Sequence, residues 1–136
     1  MKIELEGKKS LLSLIPGFYQ FGPNESFSPC ALGLTENSLI VYSDYAPDEI
    51  RQDAFLYRIK KEIDLNFLKT IIVQKIKHDS DIDRFDRLNI IQKNVDNSFF
   101  IYFLKKDKSL IKNMIKKMKQ NGVTIKKMSI SLASNA

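Results

Sequence analysis

The chain has one cysteine, one histidine, no tryptophan and five glycines among its 136 residues. A lone cysteine, Cys30, excludes an internal disulfide and fits a reducing compartment, so the sequence points to the cytoplasm. No run of about 18 apolar residues is present, so no membrane-spanning helix is predicted. The first residues, MKIELEGKKS, carry carboxylates where a secretory signal needs its apolar centre. The few glycines never cluster into a phosphate cradle, and no P-loop, dinucleotide-binding or zinc-protease signature occurs. Arginine is scarce as well: Arg51, Arg58, Arg84 and Arg87 are the full set, which argues against specific reading of nucleic-acid bases. These shortages predict no enzyme, no cofactor and no metal.

What is present describes an ordinary globule. An apolar fraction of 43% and a charged fraction of 28% suit a single domain spanning 1–136, with a core at about 5–122 and an extra short strand or frayed tail at 123–136. The net charge of +6 is uneven, because Lys105–Lys127 holds nine lysines against Asp107 alone. Within that stretch Leu110, Ile111, Met114, Ile115 and Met118 share one side of a helix at about Lys108–Asn121, and Lys108, Lys112, Lys116 and Lys119 share the other. Asp107 stands at the N-cap position, and Asn121-Gly122 provides the left-handed stop.

Before the helix the sequence reads as seven short strands. They are a first strand at 10–21 broken by Pro16-Gly17, then Cys30–Leu34, Leu39–Tyr42, Phe55–Ile59, Thr70–Lys77, Arg87–Gln92 and Ser98–Leu104. Ile3 and Leu5 permit another near the start. Thr35–Ser38 reads as a hairpin turn, and Asp64 reads as the cap of a brief helical turn before the fifth strand. Ser98–Leu104 is apolar on both faces, as in a central strand covered on each side.

This order resembles the bacterial pleckstrin-homology-like (PH/GRAM-like) domains. The likeness is carried by Ala31-Leu-Gly-Leu-Thr35 with Leu39-Ile-Val-Tyr42, by Tyr57-Arg-Ile59, Ile63-Asp64 and Ile71-Ile-Val73, and by the strand-to-helix closure at Asp107. It implies a mostly β fold: a barrel of about seven antiparallel strands in two near-orthogonal sheets, closed by the C-terminal amphipathic helix. It also implies a non-enzymatic module for protein–protein binding or self-association through strand edges.

Several groups invite chemistry. Asp79, Asp81 and Asp83 match the opening of a calcium loop, but Arg84 and Ile90 stand where glycine and glutamate are required, so a surface connection is expected. Cys30 and His78 fall on different predicted elements with no orienting third group, which argues against a nucleophilic pair. The lysine face of the helix, at Lys108, Lys112, Lys116 and Lys119, is either simply solvated or a contact for an anionic membrane surface. Relatives that bind inositol phosphates hold them with basic loops at the barrel end opposite the helix. The corresponding connections here, 22–29, 44–53 and 94–97, instead carry Glu25, Asp44, Asp48, Glu49, Asp53 and Asp96, against Arg51 alone. That acidic rim predicts no phosphoinositide headgroup site and a basic or neutral protein surface as its partner.

Overall fold

Hydrophobic alternation and turn chemistry build the first sheet as a meander. In the computed structural model, which describes residues 2–5, 11–22, 26–47, 54–77 and 84–131, β2 (Ser13–Gln20), β3 (Ser28–Leu34), β4 (Ser38–Pro47) and β5 (Ala54–Asp64) pair antiparallel in sequence order. The Thr35 hydroxyl accepts from the amides of Asn37 and Ser38, which closes the β3–β4 turn as expected from its sequence. β4 runs five residues past Tyr42, so Asp44 belongs to a strand and not to the connection in which it was expected.

Asp64 accepts from the Asn66 amide at 2.9 Å and caps the 3-10 turn Leu65–Phe67, which delivers the chain into the second meander. There β6 (Leu68–Lys77), β7 (Phe85–Gln92) and β8 (Phe99–Leu104) pair antiparallel. Asn94, at φ 59°, takes the left-handed position in the tight β7–β8 turn.

Pro16-Gly17 does not break β2. Pairing with β3 continues straight through both residues, and pairing with β8 begins only at Phe18. The proline therefore sits on a part of the strand whose β8 side is unpaired, where a missing N–H costs little. Gly17 serves a different need: a Cβ there would fall on the carbonyl oxygen of Tyr102. The supposed breakers mark the corner at which the two meanders join.

Two further strands lie at the ends. β1 (Lys2–Leu5) runs parallel to β5, and β9 (Thr124–Ser131) runs parallel to β6, giving the order β1-β5-β4-β3-β2-β8-β7-β6-β9. The seven central strands are antiparallel as anticipated, but the sheet does not close on itself, because among the described residues its end strands β1 and β9 are not paired with each other. Side chains from β2 through β8 and from the helix nevertheless meet in one buried cluster. Fully burying each Leu or Ile there contributes about 1.5–3 kcal/mol before entropy is counted.

The helix α1 (Lys108–Gln120) seals that cluster with Ile111, Met114, Ile115 and Met118. Leu110, expected beside them, is 49% exposed. It lies at the margin of the arc, so it faces water while Ile111 beside it in the same turn is buried. Asp107 occupies the N-cap position without making the capping bond, since a 3-10 turn at Lys105–Asp107 leads directly into the helix. The C-terminus behaves as read: Gly122 has φ 90°, its amide bonds to the Lys119 carbonyl, and the Val123 amide bonds to that of Met118. This is a Schellman arrangement, and buried Val123 and Met118 supply its apolar contact.

Candidate interaction surfaces

Lys108, Lys112, Lys116 and Lys119 are all exposed on α1. No carboxylate occurs from Lys108 to Ser131, and β6 adds exposed Lys69, Lys75 and Lys77. The helix, β9 and β6 thus form a basic region with no acidic side chain of their own.

Of the expected acidic rim, Asp96 is exposed in the β7–β8 turn. Glu25, Asp48, Glu49 and Asp53 lie outside the described residues, as does the side chain of Asp44. Sequence reading missed a base beside the same connections. The ammonium of Lys61 stands 4.7 Å from the ring centroid of Phe99, which opens β8, and 5.5 Å from that of Phe21, which follows β2. A bulge puts it there: Val41 faces Lys61 while Tyr42 faces Ile59, so Lys60 is the extra residue and Lys61 turns inward. Desolvation draws its pKa below the usual lysine value, while the ring faces give the charge a partial substitute for water. The signal in the sequence was the pair Lys61 and Ile63, on alternate positions of a strand expected to end at Ile59.

Cys30 is buried in β3, and desolvation pushes its thiol up to about 12. His78 and the aspartates at 79, 81 and 83 lie outside the described residues. Because the reactive species is the thiolate, Cys30 is expected to resist iodoacetamide at pH 8 in the folded protein and to react fully in denaturant. Rapid labelling of the native protein, followed by mass spectrometry, would contradict this account of the thiol. Buried Asp86 ties strands together: it accepts from the Ile76 amide at 3.0 Å and lies 3.7 Å from the Lys105 ammonium, which also donates to the Ile76 carbonyl.

A different constellation lies on the outward face of the second meander. Since Ile101, Leu88 and Tyr19 point into the core, their neighbours Tyr102, Arg87 and Phe18 point out. Register aligns Met128, Gln74, Arg87, Tyr102 and Phe18 in one row across β9, β6, β7, β8 and β2. Arg87 lies at its centre, with its guanidinium carbon 4.3 Å from the Phe100 ring centroid. Its Nε donates to Gln74 Oε1 and its Nη1 to the Tyr102 hydroxyl at 3.0 Å. Phe27, from the β2–β3 connection, stands edge-on to Tyr102 at 4.8 Å. The outer face of β8, expected to lie beneath another element, is covered among the described residues by these side chains. Phe18, Phe27 and Met128 stay 36%, 55% and 47% exposed.

Comparison with solved structures places this architecture. The chain matches a structure of Vav1 held by an allosteric inhibitor with a TM-score of 0.55 at 13% identity, over 86% of this chain and 29% of that one. It matches the hSac2 domain of the human phosphoinositide phosphatase Sac2 with a TM-score of 0.55 at 12% identity, over 96% and 82%. It matches the DH/PH domains of PDZ-RhoGEF, solved in complex with activated RhoA, with a TM-score of 0.51 at 11% identity, over 83% and 30%. The chain therefore spans about three-tenths of the Vav1 and PDZ-RhoGEF chains. At these identities the likeness shows the fold alone, and that fold is PH-like. No family model and no curated protein sequence matches the chain. No helix among the described residues is long and apolar enough to cross a membrane.

Proposed function

We propose that this protein is a non-enzymatic PH-like interaction module that binds another protein or self-associates. The observation that carries the reading is the outward face of the second meander, where Phe18, Phe27 and Met128 expose large apolar surface beside half-buried Phe100. Apolar side chains grouped in this way mark surfaces that lose water on association. Light scattering after size-exclusion chromatography, over a hundredfold range of concentration, tests self-association. Affinity purification with the wild-type chain and a Phe18→Ser, Phe27→Ser double variant tests binding to another protein, with each candidate rebuilt from purified components. A chain that stays monomeric and reconstitutes with no partner would refute the module reading.

A second reading rests on the basic region. Lys112, Lys116 and Lys119, with Lys108 beside them, face solvent on one helix whose apolar stripe is already occupied by the core. Charge alone would hold an anionic membrane, at about 1 kcal/mol per lysine near the surface and weakening with salt. Cosedimentation with phosphatidylserine vesicles is expected at low salt, lost on triple Lys→Glu substitution at 112, 116 and 119. Phosphoinositide vesicles of matched charge should bind no better, in keeping with the acidic connections. Failure to sediment at low salt would eliminate the membrane reading, and a headgroup-specific gain would overturn the exclusion.

A further inference from the structure

Arg87 is held in place more firmly than a solvating surface arginine needs. Its two anchors, Gln74 and Tyr102, are themselves buried, at 6% and 9% exposure, and the Gln74 amide donates in turn to the Met128 sulfur at 3.4 Å. A guanidinium has five N–H donors, and only two are used by these anchors. No carboxylate pairs with Arg87 among the described residues. None occupies an outward position on this part of β2 or on β6 to β9, and Asp86 takes an inward one.

We infer that Arg87 is the anchor of a docking site for a partner protein's extended segment, one that presents an aspartate or glutamate between apolar side chains. This rests on the module reading above and specifies where the partner sits and what it offers. The carboxylate would take the unused guanidinium donors in a paired, charge-assisted contact. Its apolar neighbours would cover Phe27 and Phe18 on one side and Met128 on the other. Because the guanidinium is already fixed against Phe100, little side-chain freedom is lost on binding. A free phosphate or lipid headgroup has nothing to place on the exposed rings. A second copy docked face to face about a twofold axis would bring together two surfaces with no outward carboxylate on their described strands, and two Arg87 guanidinium groups, so the occupant is a different chain.

The test selects binders to the full chain from a displayed random dodecapeptide library, then measures synthetic versions of them by fluorescence anisotropy. The selected peptides are expected to share one Asp or Glu flanked by Phe, Leu, Ile or Met. Arg87→Gln should weaken binding at least tenfold, and Arg87→Lys by less. Changing the peptide's acid to its amide should match the Arg87→Gln loss without adding to it. Phe27→Ser, an exposed position outside the strands, should weaken binding several-fold while leaving the melting temperature unchanged, which separates a lost contact from a disturbed fold. Peptides without an enriched acid, binding that Arg87→Gln leaves within twofold, or a selection that returns no binder would each overturn the site. Binders that ignore Arg87 would leave the broader module reading standing, and that reading fails only on its own reconstitution experiments.

Discussion

Gly17→Ala is expected to destabilise the fold by about 3 kcal/mol, at the upper end for an overpacked site. A Cβ at this position lands on the Tyr102 carbonyl, and backbone cannot swing aside as the tip of a side chain can. The ladder between β2 and β8 is only three pairs long, from Phe18–Tyr102 to Gln20–Phe100, and among the described strands it alone joins the two meanders. Gly122→Ala is the control, because a Cβ there meets nothing and only the left-handed backbone is strained, at about 1 kcal/mol. Urea unfolding followed by circular dichroism gives both values. A Gly17→Ala loss no larger than that of Gly122→Ala would show that the strands separate easily at this corner.

The second large effect comes from two lysine substitutions four residues apart on one helix. Met114 is fully buried beneath α1, and Met114→Lys would set an unpaired ammonium in the core cluster, a change expected to remove about 4 kcal/mol or more. Leu110→Lys is expected to stay within about 0.5 kcal/mol of wild type, since Leu110 already faces water. Thermal melts read the contrast directly. Similar losses from both variants would mean that the helix lies on the core in a different rotation from the one described.

How much of this was legible can be judged from particular residues. Strand and turn positions followed from local chemistry, as in the Thr35–Ser38 turn and the Asp64 cap, where a short side chain meets nearby amides. The helix stop was equally local, because only glycine accepts the conformation at residue 122 without strain. Pairings between distant segments were not legible. Pro16-Gly17 looked like a break because its meaning depends on β8, more than eighty residues onward. Lys61 was not singled out because the strand was expected to end at Ile59, and the one inserted residue that turns Lys61 inward shows only in its pairing with β4. Arg87 was counted among four arginines as evidence against base recognition. Its setting needs Gln74, Phe100 and Tyr102 from two neighbouring strands, and no spacing in the chain reveals that they converge.

The corner at Gly17 also governs the order in which the chain can assemble. Each meander is made of neighbours in sequence, so the chain closes only short loops to form it. The β2–β8 ladder instead needs Phe18 to find Tyr102 across most of the chain, an entropic toll that must be met before any contact there repays it. Folding on the order of milliseconds to seconds follows, the range of domains dominated by distant strand pairing. During synthesis the N-terminal meander leaves the ribosome with the β8 side of β2 bare until Phe99–Leu104 has itself emerged. For that interval Phe18 and Tyr19 lie on an open strand edge, and a newborn chain is then most exposed to pairing with its neighbours.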